Sequence, residues 1–478
     1  MAKSHLTPLW PAMHYFDHQL VGIKWMLDKE TAGTKVKGPA GTARIYGGLQ
    51  CDDMGLGKTI QTMAILKNNP KPRTLIVAPV AMLPTWIEIS ERSNFTVYKV
   101  EDGVWSKSAA GARSSVYVAG YERICHSPSL VRAGFDRIVL DEAHRIANPA
   151  TLSAIMMRTI NAPLRWALTG TPIINKMRDL VSLFAFIGVP TGKLYKWKDD
   201  LYEDLIGELV IHRSMNSIRG IVDAVKPGPA GSAAAALAAA VPPVPVIEQV
   251  RLDFKTEEEA DFYRGIQGTL SHMLTRLQHD ILSNQERLVL LMRLRQLSVH
   301  PQTYINAMRR SSSKYKREDW SGPSTKVDAL CDAVDKEVPE GRRFLVFCSF
   351  VDEMNIIREA LEERGHLVEM YYGAMNGEER KAALNAGADV LLVQIQAGGV
   401  GLNLQQYNRV VFMSPWWSSA LMDQAIARTV RMGQREKVRV SFYMLAEEQS
   451  ENIDRLMMEK ADIKRELLGE VLEQAYSG

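Results

Sequence analysis

Short apolar runs recur along the chain at intervals too long for hairpins. Leu75-Ile76-Val77-Ala78 stops at Pro79, and Val116-Tyr117-Val118, Ile138-Val139-Leu140 and Ala167-Leu168 follow. Each run is continuous rather than alternating, as expected of a strand buried on both faces. Between them lie helix-spaced stretches: Leu20, Ile23, Trp25, Met26 and Leu27, then Ile60, Met63, Ala64, Ile65 and Leu66. Strands separated by helices predict an α/β fold with a parallel sheet covered on both sides. A second set follows later, with Phe344-Leu345-Val346-Phe347-Cys348, Val390-Leu391-Leu392-Val393 and Val410-Val411-Phe412-Met413 as strands. The helix marked by Met354, Ile356, Ile357, Ala360 and Leu361 belongs to that set, so two parallel-sheet lobes in tandem are expected. Residues 33–48 are rich in Gly, Thr and Lys and read as a surface loop.

The join between the lobes is marked by composition. Residues 227–245 carry prolines at both ends and an alanine run, Ala233 to Ala240, that suits a short helix. The expected division is therefore 1–226, a linker or insertion at 227–245, and 246–478. Within the last part, about 255–300 is charge-rich with heptad-like Leu and Met and reads as a helical insertion, and 309–319 as a solvated basic loop. A length of 478 residues accommodates such lobes comfortably. No apolar run approaches the ~20 residues that span a bilayer, and no signal-peptide core is seen, so neither a membrane partner nor an export signal is expected. Four cysteines without a C-x-x-C pair suit a reducing, intracellular compartment: nucleus in a eukaryote, cytoplasm in a bacterial or viral setting. A net charge of only +3 means that any nucleic-acid surface is a local groove.

Candidate chemistry sits where predicted strands end. Asp52-Asp53-Met54-Gly55-Leu56-Gly57-Lys58-Thr59 is a tight loop opening a helix. Backbone N–H groups of such a loop surround a polyphosphate, helped by the helix N-terminus. Gly55 and Gly57 shape the cradle, Lys58 would reach the β/γ-phosphates of ATP, and Thr59 would hold Mg²⁺. The general phosphate-loop pattern has glycine where Asp52 stands. Asp141 and Glu142 close a strand ~80 residues later, the usual separation of the two halves of one nucleotide site. Asp141 would bind Mg²⁺ through its water shell and Glu142 would orient and deprotonate the attacking water. Thr169 and Thr171 could sense the γ-phosphate. Gln19, at the start of the first helix, could pair a donor and an acceptor with an adenine edge. In the second lobe Gly398, Gly399 and Gly401 allow close backbone approach to another strand or to a nucleic-acid phosphate. Arg428 and Arg431, spaced i, i+3 on one predicted helix face, carry guanidinium forks suited to phosphate oxygens.

These motifs resemble the Swi/Snf family of DNA-translocating ATPases within the superfamily-two helicases. The resemblance rests on Asp52 to Thr59, Asp141-Glu142-Ala143-His144, Leu168 to Asn175, Leu294 to Pro301 and Gln424 to Gln434, and it covers about residues 12–470. It turns Asp52 into a family mark. It implies two RecA-like lobes with ATP in the cleft between them, Gln19 and Gln424 in nucleotide binding, and Arg428 and Arg431 as transition-state cations from the second lobe. Duplex DNA is the implied partner, bare or protein-bound, with Gly398, Gly399 and Trp417 as contacts, and Ser450 onward resembles a C-terminal brace. Departures are Val430 for histidine, Gln394-Ile395-Gln396 for Ser-Thr-Arg, Ser414 for aspartate and Ser418-Ser419 for Asn-Pro. The implied function is a DNA-dependent ATPase that translocates on duplex DNA to remodel or displace protein–DNA complexes. A strand-separating DNA or RNA helicase, and an ATP-switched DNA clamp with little turnover, are the competing readings.

Overall fold

A computed structural model describes residues 6–111, 114–132, 134–173, 176–192, 199–224, 233–276, 284–398, 402–446 and 452–477. It divides into two compact units. One comprises Met1–Val241 with Arg431–Gly433 and Lys464–Gly478, the other Pro242–Val430 with Gln434–Ile463. The first part of the alanine/proline segment, the Ile174-Asn175 end of the Leu168 motif, and Ser450-Glu451 lie outside the described residues.

In the first unit the strands are β1 (Thr34–Gly38), β2 (Gly41–Gln50), β3 (Arg73–Ala78), β4 (Thr96–Glu101), β5 (Val104–Ala109), β6 (Ser115–Gly120), β7 (Arg137–Asp141), β8 (Leu164–Leu168) and β9 (Val210–Ile211). Their spatial order is β1-β2-β8-β7-β3-β6-β4-β5, with β9 also on β2. The pairs from β2 through β8, β7, β3 and β6 to β4 are parallel, and only the outer hairpins β1/β2 and β4/β5 are antiparallel. Alternate residues of the apolar strands feed two cores. Leu75, Val77, Ile138 and Leu140 face one, packed with the helix Arg178–Ile187. Ile76, Ala78, Val139 and Trp166 face the other, packed with helices α1 (Asp17–Thr31), α2 (Lys58–Asn68) and α3 (Leu83–Arg92). Burial on both faces is why these strands read as unbroken hydrophobic runs.

Residues 33–48 are not a surface loop. They form the β1/β2 hairpin, and β2 runs on between β8 and β9. Two of the glycines, Gly47 and Gly48, serve close packing rather than a turn. A Cβ on Gly47 would stand 1.9 Å from the Arg165 carbonyl oxygen, and one on Gly48 2.7 Å from that of Leu209. Only backbone without a side chain fits between those two neighbours.

The second unit has six parallel strands among its described residues: β10 (Val246–Leu252), β11 (Phe344–Cys348), β12 (Val368–Tyr371), β13 (Val390–Gln394), β14 (Arg409–Phe412) and β15 (Arg439–Leu445). They lie in the order β10-β15-β14-β11-β13-β12. Both lobes thus have the parallel-sheet character expected. Helices Glu257–Arg276, Asn284–Val299 and Pro301–Ser311 follow β10, the last of them taking in residues 309–311 of the expected basic loop, and Ala233–Ala240 is a short helix as its composition predicts. No described helix is long and apolar enough to cross a membrane. All four cysteines are buried and free.

Two buried charge clusters fasten the units internally. In the first, Arg137 donates to both carboxylate oxygens of Glu30 at 2.6 and 2.5 Å, and Trp166 Nε1 and Asn69 Nδ2 donate to the same carboxylate. In the second, Lys326 Nζ donates to Asp454 Oδ2 at 2.7 Å, Ser298 Oγ at 3.0 Å and the Met413 carbonyl at 2.9 Å, linking three segments of the unit. Nearby Glu353 accepts the N–H groups of Ser349 and Phe350. Burial pushes its carboxyl up to about 7, against the opposing pull of those bonds and of the Arg295 and Lys326 charges.

Removing Glu30 strands a buried guanidinium, so Glu30→Ala should destabilise the first unit by about 3–5 kcal/mol, read from urea denaturation midpoints. The sign for Glu353 is opposite to that of an ordinary carboxylate. Because its folded pKa of about 7 lies above its unfolded value, the native state holds the extra proton, and stability falls as pH rises between them. Glu353→Gln should flatten that fall, measured as denaturation midpoint against pH from 4.5 to 8.

Candidate active site

Three neighbouring parallel strands, β2, β8 and β7, end side by side, and each leads directly into one predicted motif. This is the carboxyl edge of the sheet, where α/β folds gather their ligand-binding groups. From β2 the chain enters the loop 51–57 and then α2, whose first residue is Lys58. Gly55 and Gly57 have φ of 87° and 83°. Gly57 caps α2 in the left-handed region, and a Cβ there would lie 2.5 Å from Gln19 Nε2. Lys58 Nζ donates to the carbonyl oxygens of Asp52 at 2.6 Å and Asp53 at 3.3 Å, which folds the lysine over the loop's own entrance. A Cβ on Gly170 would lie 3.6 Å from Lys58 Nζ, so the turn after β8 faces the same ammonium.

Asp141 is the last residue of β7. Its Oδ2 accepts the indole N–H of Trp86 at 2.8 Å, its Oδ1 accepts the Glu142 N–H at 3.0 Å, and its carbonyl accepts the Tyr121 hydroxyl at 2.8 Å. Burial, reinforced by the Glu142 charge, pushes Asp141 up to about 6, while the Trp86 bond and Lys58 pull the other way. A buried carboxylate so disfavoured as an anion is suited to a divalent cation, which supplies the missing charge. Glu142 stands at φ 50°, a left-handed turn unusual for a side-chain-bearing residue. His144 Nδ1 lies 3.2 Å from Thr169 Oγ1 and 3.4 Å from Glu142 Oε2. Burial, then the Arg145 charge, lowers His144 to about 4, so it is neutral at pH 7 and bonds Thr169 as an uncharged ring. The Thr171 N–H donates to Thr169 Oγ1 at 3.1 Å, which fixes the turn between the two threonines.

Gln19 is buried against this loop. Its Oε1 accepts the Phe16 N–H at 3.1 Å and its Nε2 donates to the Leu56 carbonyl at 3.4 Å, so its amide supports the loop from α1. Thr59 is half-buried in the first turn of α2.

The arginine pair departs from the sequence expectation. The helix Ser419–Ile426 carries Gln424, buried, and ends before either arginine. Just past its end the Thr429 hydroxyl and N–H, with the N–H of Val430, all bond the Ile426 carbonyl. Arg428 and Arg431 therefore stand in the turn that follows, not on one helix face. Arg428 is buried in the second unit, where its carbonyl accepts the Leu404 N–H at 3.1 Å. Arg431 clusters with the first unit, and a Cβ on Gly55 would lie 3.3 Å from the Arg431 Cβ. Of the predicted nucleic-acid contacts, Gly398 closes the short helix Ile395–Gly398 and Gly399 lies outside the described residues. Trp417 is half-buried, its ring 4.5 Å from that of Trp416 and under the Arg295 guanidinium at 5.3 Å. Sequence reasoning missed Trp86, Tyr121 and Arg213, which sit at the site through contacts no local spacing announces. Gly57→Ala should weaken ATP binding at least tenfold, from left-handed strain plus the clash with Gln19, as read by nucleotide titration.

The chain matches the SNF2-related domain over residues 18–303 and the helicase conserved C-terminal domain over residues 325–433. It is 27% identical to the "Probable global transactivator" of Orgyia pseudotsugata multicapsid polyhedrosis virus, over 98% of this chain and 93% of that protein. It is 24% identical to the SWI/SNF-related matrix-associated actin-dependent regulator of chromatin subfamily A member 1 of Mus musculus, over 96% of this chain and 43% of that protein. It is 23% identical to the DNA repair protein RAD5 of Yarrowia lipolytica, over 95% of this chain and 59% of that protein. The chain thus spans nearly all of the viral relative but well under two thirds of the others. A solved Sulfolobus solfataricus SWI2/SNF2 ATPase core in complex with dsDNA aligns over 99% of both chains, at 21% identity and a TM-score of 0.41. With both domains matched in tandem over a phosphate loop and its carboxylate pair, the chain belongs to the SNF2 family of helicase-like, ATP-hydrolysing enzymes.

Proposed function

We propose that this ATPase is driven by double-stranded DNA and translocates along it, remodelling or displacing protein–DNA complexes. The observation that carries the reading is the convergence of loop 52–59, Asp141-Glu142 and Thr169–Thr171 at the ends of three adjacent strands, in a chain of the SNF2 family. Relatives named for chromatin regulation and DNA repair support the substrate class.

In this reading the loop N–H groups and Lys58 bind the phosphates of ATP, and Lys58 exchanges its carbonyl partners for phosphate oxygens. Thr59 and Asp141 would hold Mg²⁺, which would supply charge against the phosphates. Glu142 takes the proton of the attacking water. Gln19 and Gln424 serve nucleotide binding, and Arg428 and Arg431 offset the charge that builds up during phosphoryl transfer. Alternation between nucleotide states changes the grip on a phosphate backbone, which is sequence-independent and weakens with salt. Gly398, Gly399 and Trp417 are the residues we assign to that grip.

The test is steady-state ATP hydrolysis with duplex DNA, single-stranded DNA, RNA and nucleosomes in parallel. Duplex DNA and nucleosomes should stimulate turnover most, and Lys58→Ala and Glu142→Gln should each lower the stimulated rate at least ~100-fold. Hydrolysis indifferent to nucleic acid would overturn the reading. Strong release of a labelled strand from a tailed duplex would move it to strand separation.

A further inference from the structure

Arg213 lies two residues after β9 and is almost fully buried, as is Asp52 beside it. Its guanidinium makes a forked pair with Asp52, Nε donating to Oδ1 at 2.9 Å and Nη2 to Oδ2. Nη2 also donates to Gln61 Oε1 at 2.9 Å, and Nη1 donates to the His18 carbonyl. One side chain thus ties α1, the phosphate loop and α2 together. The surroundings are shaped to it, since a Cβ on Gly22 would lie 2.4 Å from Nη2. Gln61 Nε2 supplies a further bond to Asp52 Oδ2 at 3.1 Å.

The backbone repeats the connection. Cys51 N–H donates to the Ile211 carbonyl at 2.8 Å and Asp53 N–H to the Arg213 carbonyl at 2.9 Å. The Met215 N–H donates to Asp53 Oδ2 at 2.7 Å. The entrance of the phosphate loop is therefore bonded, residue by residue, to the segment 211–215. Asp52 is also the residue whose carbonyl accepts Lys58 Nζ.

We propose that Arg213 is a positioning residue of the nucleotide site: its fork fixes Asp52, and through Asp52 holds loop 52–57 open for phosphate. The inference rests on the assignment of that loop to ATP. A buried ion pair is no more stabilising than apolar residues of similar volume, so stability alone does not call for one here. A rigid two-pronged bond does specify geometry, and the loop needs this because Gly55 and Gly57 leave it conformationally free. Arg213 acts through Asp52 and α1 rather than on the phosphates.

The decisive experiment compares Arg213→Lys, Asp52→Asn and the double variant Asp52→Leu/Arg213→Met, which removes the pair without stranding a charge. Each is titrated with a fluorescent ATP analogue, assayed for kcat and KM, and melted. The expected result is a dissociation constant and KM raised at least tenfold, with kcat at saturation within about threefold and cooperative melting retained. Folded variants that bind the analogue within twofold of the wild type overturn the proposal. Unfolding of all three variants also overturns it, because the pair is then structural. Lys58→Ala in parallel separates the two levels. If it too binds normally, the loop assignment has failed; if it alone loses binding, only the role of Arg213 has.

Discussion

The arrangement of the site depends on one constraint, the parallel pairing of β2 with β8 and of β8 with β7. Parallel neighbours end at the same edge, so whatever follows each strand is delivered to one place. The pairing is possible because Gly47 and Gly48 let β2 pass within backbone distance of Arg165 on one side and Leu209 on the other. Side chains there would separate the strands, and the phosphate loop would lose its register with Asp141. Asp141-Glu142 and the loop 52–59 are far apart in sequence, and this sheet brings them together.

Electrostatics then differentiates groups that look alike in sequence. Asp141 and Glu142 are adjacent carboxylates in different surroundings. Asp141 is enclosed, bonded by Trp86 and raised to about 6, whereas Glu142 is turned by a left-handed residue toward neutral His144. A cation and a proton acceptor need such divergent settings. Asp52 shows the same principle in a supporting part, since a carboxylate in place of the usual glycine becomes the anchor point of the loop.

Much of this was legible in the sequence, and the failures have a common cause. Apolar runs such as Leu75–Ala78 announce buried parallel strands because both of their faces are covered. The loop at 52–59 and the strand ending in Asp141-Glu142 are legible because their chemistry is local. Glycine-rich 33–48 was misread because a glycine chosen for close strand approach and one chosen for a turn look the same until the neighbours are known. Arg428 and Arg431 have helical spacing, yet the helix that leads to them ends at Ile426, before either. Trp86 and Arg213 could not be read at all, because their partners lie 55 and 161 residues away.

The segment that pins the phosphate loop has a second neighbour. Tyr476 pairs in parallel with Ile211, its N–H donating to the Val210 carbonyl and its carbonyl accepting the His212 N–H, while its ring stacks on Trp25. A chain leaving the ribosome makes β9 and the phosphate loop early, but meets Tyr476 only after the entire second sheet has been synthesised. The first unit must therefore wait, with the outer side of β9 unpaired, through most of translation. The Ile211–Tyr476 bridge is thus a contact of very high sequence separation, the kind that folding completes late.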